Sequence, residues 1–269
     1  MMEIYYLNSK GKKIYLDRAP YKMLSVTSLF DYEWTEDKIL KRVIDKKDVD
    51  IVVSGENIDV YHKNISEFIS DTDIDAADGI PGRLYVGNYY ILCYFSASKK
   101  ERRYINTKQS VISFSIKPKE GVWIKESLLQ FRYEELQKDT SGKCYPYNYP
   151  YNYGLGGGYN SSISLESFGS MDFVLTIYGY AQNPEVCIGG NTYRVDYTVQ
   201  PGEILRIDSR NHSVLLTKTN GVTLNLFRYR GIRHYIFEKI TAGELPVYWN
   251  GDFDWDILLL EERSEPKWM

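Results

Sequence analysis

Four aspartates within DTDIDAADG, residues 71–79, have a spacing that suits cation binding. Three of them alternate and the fourth follows, like the first ligands of an EF-hand calcium loop. The set is Asp71, Asp73, Asp75 and Asp78. Such a loop needs glycine at its sixth position and glutamate at its twelfth, where this chain has Ala76 and Gly82. We therefore interpret the segment as an acidic turn after a helix.

A second group of carboxylates lies in NGDFDWD, where Asp252, Asp254 and Asp256 alternate. Alternation places all three on one face of a strand, and paired carboxylates can hydrolyse glycosides. The same pattern is typical of a strand with one polar face and one apolar face, which is the interpretation we favour. A sugar-stacking surface formed by Trp249 and Trp255 is the alternative.

Other chemical motifs lack their structural context. GLGGG (154–158) is not followed by the Lys-Ser/Thr pair of a phosphate loop. Asp208, Ser209 and His212 fall in a predicted turn without a nucleophile elbow, so a hydrolytic triad is not predicted. His62 and His234 are isolated. We expect no enzyme activity, no metal and no cofactor.

Two short clusters, KKERR (99–103) and FRYRGIRH (227–234), are basic, and the second has aromatic residues interleaved. Charge combined with stacking suits nucleic acid. The chain as a whole has a formal net charge of −3, which disfavours that use. We interpret the clusters as a solvated turn or as a patch that faces an acidic protein neighbour, and we expect no specific nucleic acid partner.

The three cysteines, Cys93, Cys144 and Cys187, are too far apart for a zinc knuckle or a CxxC pair. Cys93 and Cys187 lie in apolar runs, which predicts buried thiols and folding in a reducing compartment. The first residues do not form a signal peptide pattern, and no apolar stretch is long enough for a bilayer. We therefore expect no membrane partner.

The elements that position these residues are mostly strands. Residues 3–16 predict a hairpin with a turn at Ser9-Lys10-Gly11, residues 39–53 two short strands, and residues 83–97 a hairpin. Between them, one apolar stripe predicts a helix at about 58–70 that Ser54 or Asn57 caps. The stripe is Ile58, Tyr61, Ile65, Phe68 and Ile69.

After residue 160 the helical periodicity disappears. Short alternating segments follow one another about every ten residues and are separated by turn dipeptides such as Asn220-Gly221 and Pro201-Gly202. This arrangement is typical of an antiparallel sandwich or barrel. The high tyrosine content, 25 residues, also favours a β-rich protein with a large contact surface.

Between the two parts lies CYPYNYPYNYGLGGGYN, residues 144–160. Its prolines forbid a central strand and its glycines disfavour helix. We interpret it as an ordered joint whose tyrosines fix the placement of the two halves; a flexible linker is the alternative. The candidate joint residues are Tyr145, Pro146, Tyr147, Tyr149, Pro150, Tyr151 and Tyr153.

Six patches, taken in order, resemble the distal tail protein (Dit) family of long-tailed bacteriophages. They are PGRLYVGNYYILCYFSAS (81–98), VWIKESLLQF (122–131), YPYNYPYNY (145–153), FVLTIYGYAQNPEVCIGG (173–190), GEILRIDS (202–209) and LLLEERSEPKW (258–268). The resemblance spans nearly the whole chain, although no single motif is as specific as a metal signature.

The resemblance implies a mainly β fold. A ring-forming α+β domain with one helix would span 1–135, the joint 136–160, and an antiparallel galectin-like β-sandwich 161–269. It further implies a structural adaptor at the tail tip of a virion or tail-derived particle, assembled in the cytoplasm of the host bacterium. A hexameric ring would join the tail tube protein to a tail-associated hub, fibre or baseplate protein, and DNA would pass through its lumen. The alternative function is a carbohydrate-binding module that contacts the host cell wall.

Overall fold

The computed structural model describes residues 3–37, 39–100, 108–133 and 159–267. By its contacts the chain divides into two compact units. Unit 1 comprises Met1–Lys125 together with Glu262–Met269, and unit 2 comprises Glu126–Glu261. The predicted mainly β fold is confirmed, since strands dominate both units. The predicted domain bounds, with a joint at 136–160, fall largely on residues outside those described and stay a prediction.

Unit 1 is a curled antiparallel sheet with one long helix. Its strands are β1 (Ile4–Leu7), β2 (Lys13–Tyr15), β3 (Asp17–Arg18), β4 (Tyr21–Met23), β5 (Trp34–Asp37), β6 (Ile39–Arg42), β7 (Lys47–Ser54), β8 (Gly82–Val86), β9 (Tyr89–Lys100), β10 (Gln109–Pro118) and β11 (Trp123–Phe131), the last of which continues into unit 2. Its helices are α1 (Thr27–Phe30) and α2 (Ile58–Asp78).

The main sheet of unit 1 nearly closes on itself. Strands pair antiparallel in the order β1, β8, β9, β10, β7, β4. Leu16 bridges the two ends, because its amide donates to Ile4 O and its carbonyl accepts from Met23 N, both at 2.8 Å. The alternating residues that point inward, such as Ile51, Leu84 and Ile112, are almost completely buried, and they form the core against which α2 packs.

The predicted helix and its cap are confirmed. The side chain of Asn57 accepts a hydrogen bond from Val60 N at 2.8 Å, and Tyr61 and Phe68 are buried on the predicted stripe. The helix ends at Gly79, whose left-handed φ of 65° suits glycine. The prediction of an acidic turn at 71–79 was wrong, because residues 71–78 form the last two turns of α2.

The predicted hairpins of unit 1 are confirmed as the pairs β1–β2 and β8–β9. The two strands expected within 39–53 are β6 and β7. The charged turn predicted at 99–103 was wrong at its start, because Lys99 and Lys100 extend β9 opposite Ser113 and Ile112 of β10. The rest of that cluster lies outside the described residues.

Unit 2 consists of two antiparallel sheets that enclose one core. Its strands are β12 (Tyr159–Leu165), β13 (Asp172–Tyr178), β14 (Ala181–Gln182), β15 (Glu185–Ile188), β16 (Asn191–Arg194), β17 (Thr198–Val199), β18 (Ile204–Asp208), β19 (Ser213–Thr217), β20 (Thr223–Asn225), β21 (Gly243–Trp249) and β22 (Trp255–Arg263), which continues into unit 1. One sheet has the order β20-β19-β18-β13-β22 and the other β12-β21-β15-β16, with β14 and β17 forming a small pair.

The two sheets of unit 2 share their buried side chains. Phe173 of the first sheet makes an edge contact with Tyr193 of the second, with ring centroids 4.9 Å apart. Apart from a 3-10 turn at Phe227–Tyr229, the described part of this unit after residue 160 contains no helix. The prediction that helical structure disappears there is therefore confirmed. Among the described residues, no helix of either unit combines the length and the apolar character needed to span a membrane.

Candidate interaction surfaces

The residues predicted to form the aromatic joint, Tyr145 to Tyr153, lie outside the described residues, as do GLGGG and Cys144. Their proposed role stays a prediction. Of the other two cysteines, Cys93 is fully buried, and burial raises the pKa of its thiol, whereas Cys187 is half-buried. No group of three or more metal-ligating side chains is found among the residues that the structure describes.

The aspartates of α2 fasten the helix to the β1–β2 hairpin. Asp75 is completely buried, and its two carboxylate oxygens accept from Tyr6 Oη at 2.5 Å and from Ser9 N at 2.7 Å. One turn to either side, Asp71 pairs with Lys12 and Asp78 pairs with Lys10, each at 2.6 Å. The spacings of four and three place these carboxylates on one helical face. Their role in the described structure is to hold two elements together.

The fold separates the second set of alternating aspartates, Asp252, Asp254 and Asp256. Only Asp256 lies in a strand, β22, while Asp252 and Asp254 precede it in a loop. Asp256 is 8% exposed beside the buried Trp255 and Ile257, so the prediction of one polar strand face was wrong. This part of β22 is buried on both faces.

Asp256 is held by partners within unit 2. Its carboxylate accepts from Arg132 Nη1 at 2.6 Å and from Tyr178 Oη at 2.7 Å. Burial tends to raise the pKa of this carboxyl, but the hydrogen bonds from Arg132 and Tyr178 outweigh it and hold the pKa below its usual range. The group is therefore a charged structural partner.

We expect Arg132→Gln to lower the free energy of unfolding of unit 2 at neutral pH. In acid, the difference between variant and parent should shrink. A carboxyl with a lowered folded-state pKa stabilises the fold above its unfolded pKa of about 4, and this contribution disappears as pH falls through the folded-state value. Urea unfolding of parent and variant at pH 7 and pH 3 measures the difference. Arg206→Gln, at an exposed arginine of β18, is the control; a gap that is as wide at pH 3 as at pH 7 would contradict the expectation.

Ser209 lies in the turn after β18, as predicted, with its hydroxyl in a structural role. It donates to Asp172 Oδ1 at 2.9 Å and accepts from Phe173 N at 2.8 Å. His212, in the same turn, packs its ring against Phe237 at 5.2 Å. This geometry ties the turn to the neighbouring strand β13 and does not activate the serine as a nucleophile.

The proposed sugar-stacking surface of Trp249 and Trp255 was wrong, because both side chains are completely buried. Their rings lie 5.7 Å apart, and Phe131 stacks on Trp255 with centroids 4.0 Å apart and planes 7° apart. The two tryptophans are therefore the centre of the core of unit 2. The alternation of Trp255 with acids resembles that of a surface strand, and only the tertiary fold distinguishes a buried strand from a surface strand here.

The cluster FRYRGIRH forms an exposed aromatic and cationic loop on unit 2. Ile232 is 94% exposed and Tyr229 is 48% exposed. The guanidinium of Arg230 lies 4.0 Å above the ring of Phe227. Beside the loop is a cleft of about 340 Å³, in which Arg194 binds Glu185 at 3.0 Å and Asp196 at 2.7 Å. Aromatic and arginine side chains of this kind are enriched where proteins contact each other.

A second cation and aromatic surface, which the sequence analysis missed, lies on unit 1. Tyr5 stacks on Tyr85 with centroids 4.4 Å apart, and Lys13 Nζ lies 3.7 Å above Tyr5. Arg18 covers the neighbouring Tyr15 at 4.1 Å. The signal was present as Tyr5 in β1, Tyr15 in β2 and Tyr85 in β8, but their alignment depends on the register between strands.

Comparison with known proteins finds solved structures that have this fold. No protein-family model matches the chain. No curated protein matches it in sequence. Among solved structures, the Dit protein of phage SPP1, described as a paradigm of the hub adsorption apparatus in phages that infect Gram-positive bacteria, aligns with a TM-score of 0.57 at 8% identity over 98% of this chain and 99% of that one.

Two further matches are chains of the phage P2 baseplate in its activated conformation. The structure with calcium aligns with a TM-score of 0.59 at 12% identity over 98% of this chain and 99% of that one. The structure with strontium aligns with a TM-score of 0.61 at 12% identity over 99% and 100%. The whole chain therefore has the fold of the SPP1 Dit protein and of these baseplate chains.

Proposed function

We propose that this chain is a distal tail protein, a structural component of the tip of a phage tail or tail-derived particle. The supporting observation is the fold match, which extends over 98–99% of this chain and 99–100% of its three neighbours. A match of both units in one alignment is more specific than a shared sandwich alone, since sandwiches serve many functions. Such a protein acts through surfaces that bind neighbouring proteins, and this role needs no catalytic group.

We further propose that the protein forms an adaptor ring. Copies of the chain close into this ring, with six as the expected number. One face of the ring receives the tail tube protein and the other receives a hub, fibre or baseplate protein, while DNA passes through the lumen. Assembly takes place in the cytoplasm of the host bacterium. The two cation and aromatic surfaces, around the half-buried Tyr5 on unit 1 and around the exposed Tyr229 on unit 2, suit protein contacts of this kind.

Immunogold electron microscopy of the particles tests the proposed location. An antibody against the exposed turn at Asn220-Gly221 should label one end of the tail, and a particle lacking the protein should have tails without a finished tip. An antibody against a capsid protein is the control for access. Label on the capsid, or complete tips in particles that lack the chain, would refute the tail-tip role.

A further inference from the structure

The cleft of about 340 Å³ on unit 2 has a floor made by the hairpin β15–β16. Glu185 of β15 lies opposite Arg194 of β16, and Thr192 lies two positions before Arg194. Because side chains alternate along a strand and the intervening Tyr193 is buried in the core, Thr192 and Arg194 both point out of the sheet. The floor therefore offers a carboxylate, a hydroxyl and a guanidinium to a ligand.

The wall of the cleft is a loop that is fastened to the same strand at two places. Gly231 N donates to Arg194 O at 2.8 Å, and Asn191 Nδ2 donates to Tyr235 O at 3.1 Å. A Cβ atom on Gly231 would lie 3.2 Å from Arg194 Cβ, so glycine permits this close approach. A wall that is already held in place loses little conformational entropy when a ligand binds. The cleft is therefore preformed.

The polar groups that line the cleft are of both kinds. Arg194 donates to Glu185 and to Asp196, so the guanidinium holds both carboxylates in place with two of its five N–H groups and keeps the others for a ligand. On the loop, the side chains of Arg233 and His234 are exposed and make no hydrogen bond or ion pair with other residues that the structure describes. Two carboxylates and two guanidiniums line the cleft, so their formal charges cancel.

This lining favours an uncharged ligand that has many hydroxyl groups. A small anion would lie against Glu185 and Asp196, and a cation would lie against Arg194 and Arg233, so either would meet like charges. An apolar ligand would take the four charged groups out of water without a new partner. A sugar hydroxyl both donates and accepts, so neighbouring hydroxyls can bridge a guanidinium and the carboxylate that it holds.

The rim of the cleft adds an apolar surface. Ile232 lines the cleft and is 94% exposed. One face of a sugar ring carries mainly C–H groups, and packing that face on Ile232 would remove apolar area from water. The volume is at the lower end of the range of about 300–1,000 Å³ for ligand pockets, which suits a short oligosaccharide.

We propose that this cleft binds a neutral oligosaccharide. Arg194 with Glu185 and Asp196 forms the centre of the site, Thr192 adds a hydroxyl from the floor, and Ile232 packs on a ring face. All of these residues belong to unit 2. The inference therefore goes beyond the proposed structural role and does not depend on ring formation.

A glycan array probed with the full chain is the first step of the test. The array carries neutral oligosaccharides of glucose, galactose, rhamnose and N-acetylhexosamines. The protein is labelled on its lysines, since none of the described residues that line the cleft is a lysine. Titration calorimetry with the soluble form of the strongest binder then compares the parent with variants of the cleft.

Two substitutions on the floor should weaken glycan binding. Glu185→Gln should lower the affinity about tenfold or more, because hydrogen bonds to charged groups are the stronger ones, and Thr192→Val should lower it roughly three- to tenfold. Glu244→Gln on β21 and Thr217→Val on β19 are the matched controls at exposed residues outside the cleft, and they should bind like the parent. Circular dichroism melts check that each variant is folded, and Asp196→Asn replaces Glu185→Gln if that variant is not.

The salt dependence of binding separates a neutral ligand from an anionic one. The affinity for the glycan should change less than about twofold between low salt and about 0.5 M salt. Hexaglutamate is the probe for an acidic peptide, the alternative occupant that the exposed arginines of the loop would attract. Binding of hexaglutamate in place of glycans, a steep loss of glycan affinity with salt, floor variants that bind like the controls, or a parent that binds no glycan would each overturn the inference. The immunogold result decides the tail-tip role separately.

Discussion

Trp255→Ala should lower the free energy of unfolding of unit 2 by about 3–5 kcal/mol, the range for deleting a buried large aromatic side chain. Trp255 is completely buried, with Phe131 stacked on one side at 4.0 Å and Trp249 in edge contact at 5.7 Å. The substitution would leave a cavity and would also remove the ring contacts with Phe131 and Trp249. The loss in free energy of unfolding should therefore be at the upper end of that range.

Calorimetry of the full chain is the measurement, and the change is taken from the transition that the substitution shifts. Trp255→Phe keeps a ring against Phe131 and should lose roughly half as much, whereas Tyr235→Ala, at a residue that is 57% exposed, should lose less than about 1 kcal/mol. If Trp255→Ala melts like Tyr235→Ala, the described core of unit 2 is incorrect.

Asp75→Ala should destabilise unit 1 by on the order of 3 kcal/mol, because it removes the carboxylate that accepts from the buried Tyr6 Oη and from Ser9 N, and leaves Tyr6 Oη only the distant Cys93 O at 3.4 Å. A Cβ atom on the neighbouring Gly82 would lie 2.2 Å from Tyr6 Oη and 2.6 Å from Asp75 Oδ2, so the backbone of Gly82 packs directly against this hydrogen bond.

Urea unfolding monitored by circular dichroism measures the effect of Asp75→Ala. Asp73→Ala is the matched control, since Asp73 is exposed on the same helix and its replacement by a better helix former should change stability by less than about 0.5 kcal/mol. Tyr6→Phe, combined with Asp75→Ala, should show a coupling energy of about 1 kcal/mol or more. Strict additivity of the two substitutions would argue that they do not share a hydrogen bond.

Local patterns predicted much of the fold. Alternation and turn residues identified the hairpins β1–β2 and β8–β9, and the apolar stripe from Ile58 to Ile69 identified α2 together with its cap, Asn57. These features depend on residues that are neighbours in sequence. The predicted resemblance to distal tail proteins agrees with the fold match, which extends over both units.

Tertiary partners account for the failures. The aspartates 71–78 favour a turn locally, yet they form helix because Lys10, Lys12 and Tyr6, 59 to 69 positions away in sequence, bind them. Trp255 alternates with acids like a surface residue, but the second sheet of unit 2 covers it. The candidate surfaces depend on registers between strands, such as Tyr5 beside Tyr85, which no single segment encodes.

The division of the chain makes unit 2 exchangeable by recombination. Unit 2 is one continuous stretch, Glu126–Glu261, whereas unit 1 is encoded on both sides of it. Replacing that internal coding segment would exchange the whole of unit 2 and leave every residue of unit 1 in place. Since β11 and β22 both run across the boundary, a donor segment would have to begin and end in extended strands. A lineage could thus acquire a new unit 2 in one genetic event while unit 1 stayed unchanged.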